Sequence, residues 1–229
     1  MKTIKSFGCS FVYGSDLFDS KQFVPLFNYS VSMQPSLLTW PATIAKQLNL
    51  AYECYATPGQ GNFKIYCDIL ANSYLNDQSV YLINWSWIDR FDYVNNIEQW
   101  NTLRPAEDSE LEKFYYRNIH SQLTDMISNA TYIVSAAEHL KSLNCSYVMT
   151  YMNYDLLTPI DADWHDPRYL EVLQNKLKTI LVDFDGKNFL DWSRDNNFAI
   201  SDTWHPLEAA HAAAAEYWLP TVKNYCNLV

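Results

Sequence analysis

A chain of 229 residues carries 16 basic against 26 acidic side chains, a net charge of −10 with no basic run, so a phosphate-neutralising nucleic-acid surface is disfavoured. Its 48% hydrophobic and 16% aromatic content supports a sizeable core rather than disorder, and 8 Trp and 17 Tyr are enough to line a cleft as well. No apolar stretch reaches the roughly 20 residues of a bilayer span, and Cys9, Cys54, Cys67, Cys145 and Cys226 lack the spacing of a zinc or disulfide frame.

The first residues have no long apolar run and no small-residue cleavage site, so cytoplasmic synthesis without a signal peptide is expected. Thr3 to Phe7 reads as a first strand ending at Gly8. Ser15 to Thr39 is irregular and aromatic, a long loop, after which Trp40-Pro41 opens an amphipathic helix over Ala42 to Leu48. Ala51 to Ala56 is a second strand, stopped by Pro58-Gly59-Gln60-Gly61, and Phe63 to Leu75 has a helical stripe. Val80 to Trp85 is a near-continuous apolar run, as expected of a central parallel strand buried on both faces.

An insert follows at about 90–117, rich in charge and aromatics and without a strand signal. Gln122 to Leu143 is a helix, Ser146 to Tyr151 a fourth strand, Leu170 to Val182 a helix and Asn188 to Trp192 a weak fifth strand. The last helix starts near Pro206, a favourable first helical residue. Strands alternating with helices predict a single α/β domain, a three-layer α/β/α sandwich with a central parallel sheet of about five strands and a flavodoxin-like winding. In such sheets sites form at the carboxyl ends of the strands. Ser10, the Gly59-Gly61 loop, Ser86 and the loop holding Asp202 and His205 all fall on that rim.

Two motifs at opposite ends carry the chemistry: Gly8-Cys9-Ser10-Phe11-Val12-Tyr13-Gly14, and Asp202-Thr203-Trp204-His205-Pro206. An imidazole acts as a directed base when a carboxylate holds its second nitrogen. Asp202, three residues before His205, could do so from the same loop, and Ser10 supplies a hydroxyl. Structural readings also exist, a tight turn for Ser10 and helix capping for Asp202 and His205. His120, His139, His165 and His211 have no comparable context: His165 and Asp166 are adjacent, a spacing that presents the side chains poorly to each other, and His211 reads as a packed residue of the Ala-rich helix.

These motifs, with the Gly59 loop, resemble blocks I, II and V of the SGNH (GDSL-type) hydrolases over nearly the whole chain. The likeness is to a divergent branch like those encoded by phages, with Cys9 in the middle of block I. The resemblance implies ester hydrolysis without metal or organic cofactor. Ser10 would be the nucleophile, His205 the base and Asp202 its orienting acid, with O-acyl or O-acetyl carbohydrate as the suggested substrate class. The amides of Ser10 and Gly59 would hold the oxyanion. Block III departs from the family pattern: Ser86 falls where a donor Asn belongs, so Ser86, Asn84 or Asn62 would have to donate instead. Asn84, Trp85, Trp87 and Arg90 are candidate substrate contacts, with a surface ion pair to Asp92 as the plain reading of Arg90. A second function stays open, a catalytically silent glycan- or protein-binding module such as a virion component, as does a thioesterase or peptidase with the same triad. Oligomeric state is not encoded in any feature of the sequence.

Overall fold

Strand β1 (Thr3–Gly8) lies between β4 (Ala51–Cys54) and β5 (Val80–Trp85), and β8 (Ser146–Tyr151) closes the other edge, giving a parallel sheet of order β4-β1-β5-β8. The computed structural model describes residues 2–24, 29–32, 34–75, 77–105, 109–158 and 168–226, with backbone alone over 21–24 and 29–32. His165 and Asp166 lie outside the described residues.

Strand parity builds the two cores. Along β5, Val80 and Leu82 face one side, while Tyr81, Ile83 and Trp85 face the other. The Tyr81 side packs on α3 (Asn62–Ala71), α5 (Gln122–Ser142) and α6 (Arg168–Ile180). The Val80 side packs on α2 (Trp40–Gln47), α7 (Phe189–Asp195) and α8 (Glu208–Cys226). Helices on both faces of a parallel sheet make the three-layer α/β/α fold that the alternating pattern predicts. Every residue of β5 is buried, as the apolar run requires.

Three segments depart from the sequence reading. The fifth strand expected at Asn188 to Trp192 is helix α7, because the Asn188 side chain accepts the Asp191 N–H at 2.8 Å and caps a helix. The edge position beside β8 is held instead by one parallel bridge, Met149 to Leu181. The region read as a loop after Ser15 contains a hairpin, β2 (Lys21–Val24) with β3 (Tyr29–Ser32). The insert contains a second hairpin, β6 (Phe91–Val94) with β7 (Trp100–Leu103), followed by α4 (Glu110–Asn118), which opens on a Ser109–Glu112 capping box.

His211 is a structural histidine of a specific kind. The N-cap of α2, Thr39, makes no side-chain cap, and the Trp40 N–H is taken by His211 Nδ1 at 3.1 Å across the α2–α8 contact. Burial, then the nearby His205 charge, holds the His211 imidazole down at about 3, so it stays neutral and keeps an acceptor nitrogen. The unfolded chain takes up this proton near the ordinary value of 6.5 and the folded one only near 3. The stability contribution is therefore complete above that ordinary value and is lost as pH falls through the window between the two. The melting temperature is expected to fall by at most about 3 to 5 °C per pH unit on this account, and a His211→Gln variant should show a shallower slope, by thermal denaturation across the window.

Candidate active site

Gly8 ends β1 with φ +157, and a Cβ there would sit 2.6 Å from the Val12 side chain and 2.9 Å from the Asn84 carbonyl oxygen. Only glycine lets the chain turn this tightly from β1 into α1 (Ser10–Tyr13). Ser10 is thereby the first residue of that short helix, and its N–H has no acceptor earlier in the same helix. Gly14 closes α1 in the left-handed region at φ 75, ψ 47, donating its N–H to the Ser10 carbonyl. This reversal brings the next residues, Ser15 and Asp16, back beside Ser10.

From the far end of the sequence, the segment before α8 forms a β-turn in which the Trp204 N–H donates to the Ser201 carbonyl at 3.0 Å, and the Ser201 N–H donates to the His205 carbonyl at 2.9 Å. His205 is held with Nε2 2.7 Å from Ser10 Oγ and Nδ1 2.6 Å from Asp16 Oδ2. The Phe11 ring meets the imidazole edge-on at 5.0 Å. The two motifs at opposite ends thus meet at Ser10 and His205, but Asp16 stands where the sequence reading put Asp202. The reason is local: Asp202 is the second residue of the turn, exposed at its outer corner, and no hydrogen bond joins it to His205 among the described residues. No spacing rule points to residue 16, because its position depends on the Gly14 reversal.

Asp16 is anchored on every side that faces the turn. Its Oδ2 accepts from Ser201 Oγ and Thr203 Oγ1 as well as meeting His205 Nδ1. Burial pushes the Asp16 carboxyl up, but the hydrogen bonds from Ser201, Thr203 and His205, with the attraction of His205, outweigh it and hold the group at about 2. The arrangement is a hydroxyl, an imidazole and a carboxylate ionised at neutral pH, in series. It can move a proton off Ser10 while the carboxylate fixes which ring nitrogen carries the hydrogen.

An open pocket of about 350 Å³ lies over Ser10 and His205, walled by Gly59, Trp87, Arg90, Arg104 and Trp204 among others. Gly59 has φ 80, and a Cβ added there would lie 3.0 Å from a nitrogen of the Arg104 guanidinium, so this loop passes directly beneath that side chain. Arg104, from the end of the β6–β7 hairpin, is a wall residue that sequence reasoning did not single out; the unreadable insert was the only pointer to it.

Several predicted contacts lie elsewhere. Asn62 is fully engaged inside the protein, accepting the Ser86 N–H at 2.6 Å and donating to the Ser86 carbonyl at 3.1 Å and to Asn129 Oδ1 at 2.7 Å. Ser86 is buried, and its Oγ accepts from Arg90 at 2.9 Å. Asn84 is buried with its amide 3.7 Å from Met152 Sδ, and Trp85 belongs to the core on the α3–α5–α6 side, as strand parity dictates. Of the expected substrate contacts, Trp87 and Arg90 reach the pocket while Asn84 and Trp85 do not. Asp92 does not pair with Arg90: its carboxylate accepts from the Gly61 and Lys64 amides and from Thr102.

No protein-family model matches the chain, and no curated protein matches its sequence. Solved structures do match. A carbohydrate esterase family 2 enzyme with a carbohydrate-binding domain, from Corynascus thermopiles (Myceliophthora fergusii), is 14% identical at a TM-score of 0.56, covering 99% of this chain and 67% of that one. A carbohydrate esterase described as having divergent catalytic and non-catalytic binding functions is 15% identical at 0.52, covering 97% and 68%. The psychrotrophic esterase EstA from Pseudoalteromonas sp., inhibited by monoethylphosphonate, is 12% identical at 0.50, covering 98% of each chain. No helix among the described residues is long and apolar enough to cross a membrane. What this likeness establishes is architecture: the chain has the three-layer α/β/α fold of these esterases.

Proposed function

We propose that the protein is a serine ester hydrolase that removes an acyl group from an O-acylated carbohydrate through an acyl-enzyme. The observation that carries this reading is the continuous relay from Ser10 Oγ through both nitrogens of His205 to Asp16. Ser10 Oγ attacks the ester carbonyl and its proton passes to His205 Nε2, while Nδ1–H donates to the ionised Asp16. The oxyanion is met by the amides of Ser10 and Gly59, two residues that line the pocket. Collapse expels the alcohol, which takes the proton from Nε2 and leaves the acyl group on Ser10. Water, deprotonated by Nε2, then releases the acid. The carbohydrate part rests on the esterases of the same fold and on the indoles of Trp87 and Trp204, whose faces suit a sugar ring.

The test is labelling with a fluorophosphonate, read by intact mass, on wild type beside Ser10→Ala. One adduct on wild type and none on the variant is the expected result. Absence of an adduct on wild type would reject the hydrolase in favour of a glycan-binding module. That second reading draws on Asn62 and Ser86, candidate oxyanion donors whose side chains bond inside the protein instead.

A further inference from the structure

In a chain with 26 acidic and 16 basic side chains, the described residues that line the pocket over Ser10 include two arginines and no Asp or Glu. Arg90 is fixed there by neutral groups: one guanidinium nitrogen donates to the Gln60 carbonyl at 3.1 Å and to Ser86 Oγ at 2.9 Å. Among the described residues it forms no salt bridge: the adjacent Asp89 feels its charge without a hydrogen bond to it, and Asp92 is spent on the start of α3 and on Thr102. Arg104 lies over Gly59, its backbone N–H donates to Glu112 Oε1 at 3.2 Å, and that carboxyl is one of the groups its charge acts on. The carboxylate of the relay itself, Asp16, sits behind His205 with its oxygen taken by three donors.

A guanidinium held by neutral acceptors keeps its full charge for a ligand, and its planar fork suits a carboxylate. Resting on the ester-hydrolase reading, we infer that the substrate carries a carboxylate beside the scissile ester, taken by Arg90 and Arg104. An O-acylated uronic-acid type of sugar would supply it on the alcohol side, and a dicarboxylic half-ester on the acyl side. The overall negative charge of the protein would then make these two arginines the local attraction that admits an anion.

Binding separates this inference from the chemistry. The Ser10→Ala protein is titrated calorimetrically with two matched pairs: acetylated methyl glucuronoside against acetylated methyl glucoside, and an aryl hemisuccinate against the aryl butyrate. In one pair the acidic member should bind about ten-fold or more tightly than its neutral partner, the pair identifying the side that bears the charge. The ratio should fall to about two or less when Arg90→Gln or Arg104→Gln is added, and should shrink at high salt. Arg104→Gln leaves the Ser86 and Gln60 contacts of Arg90 intact, so a folding defect in the first variant does not remove the test. Equal or undetectable binding of both members in both pairs, or a preference that survives both substitutions, overturns the inference. Ester hydrolysis without charge preference would reject this inference and keep the hydrolase; charge-selective binding without a phosphonate adduct would do the reverse.

Discussion

Asp16→Asn is expected to lower kcat by about 10³- to 10⁴-fold, while Asp202→Asn stays within about two-fold of wild type. Asp16 is the only carboxylate on His205 Nδ1 among the described residues, at 2.6 Å, and its oxygen also receives Ser201 and Thr203. An amide in its place offers N–H as readily as oxygen, so the imidazole loses both its orienting charge and the hydrogen-bond pattern that keeps Nε2 an acceptor. Asp202 points to solvent from the corner of its turn and has neither role. Steady-state kinetics on the two variants, side by side, decides between them; a large loss at Asp202 and none at Asp16 would remove the relay. The stability effect has a definite sign. The Asp16 carboxyl is held at about 2, below its ordinary 3.8, so its contribution is complete above the ordinary carboxylate range and is lost as pH falls through about 2. The melting-temperature deficit of Asp16→Asn at neutral pH should therefore narrow in acid.

His205→Ala is expected to cost about 10⁴-fold or more in kcat with the fold retained. The imidazole is partly exposed, lies before α8 on the wall of an open pocket and meets Phe11 edge-on, so truncation enlarges that pocket and opens no interior cavity. Circular dichroism should be unchanged while turnover vanishes; turnover equal to wild type would refute the assignment. The pH profile gives a second reading of the same residue. With Asp16 ionised down to about 2, the acid limb of kcat/KM should carry no Asp16 inflection above that value. A rate independent of pH from about 5 to 8 would exclude a histidine base.

The parts of the fold that could be read from the sequence are those where one local signal dominates. Val80 to Trp85 is continuous and apolar because both of its faces are covered, and the structure gives it those bounds. Ser10 and His205 are legible because each sits where a glycine turn or a helix start breaks a regular element. Asp16 is not, since nothing in its neighbourhood encodes a contact with Ser201 and Thr203 some 185 residues away. The Phe91–Val94 and Trp100–Leu103 hairpin was hidden because Asp92 is buried while Phe91, Val94 and Trp100 are exposed, which reverses the alternation on which strand recognition depends. At Asn188 to Trp192 a β-prone composition lost to one side-chain cap. Trp85 shows the opposite failure: its chain position at the rim is right, but the parity of the strand sends the indole inward.

The hydroxyl and the carboxylate of the relay lie six positions apart on the single stretch from Ser10 to Asp16, and only the imidazole arrives from elsewhere, across a separation of 195 residues. Their mutual geometry can therefore form early, by local folding of the β1–α1 turn, whereas the imidazole docks only after the whole intervening chain has been threaded and α8 has closed against α2. Regain of the serine's reactivity during refolding would thus act as a clock for the last long-range contact to form.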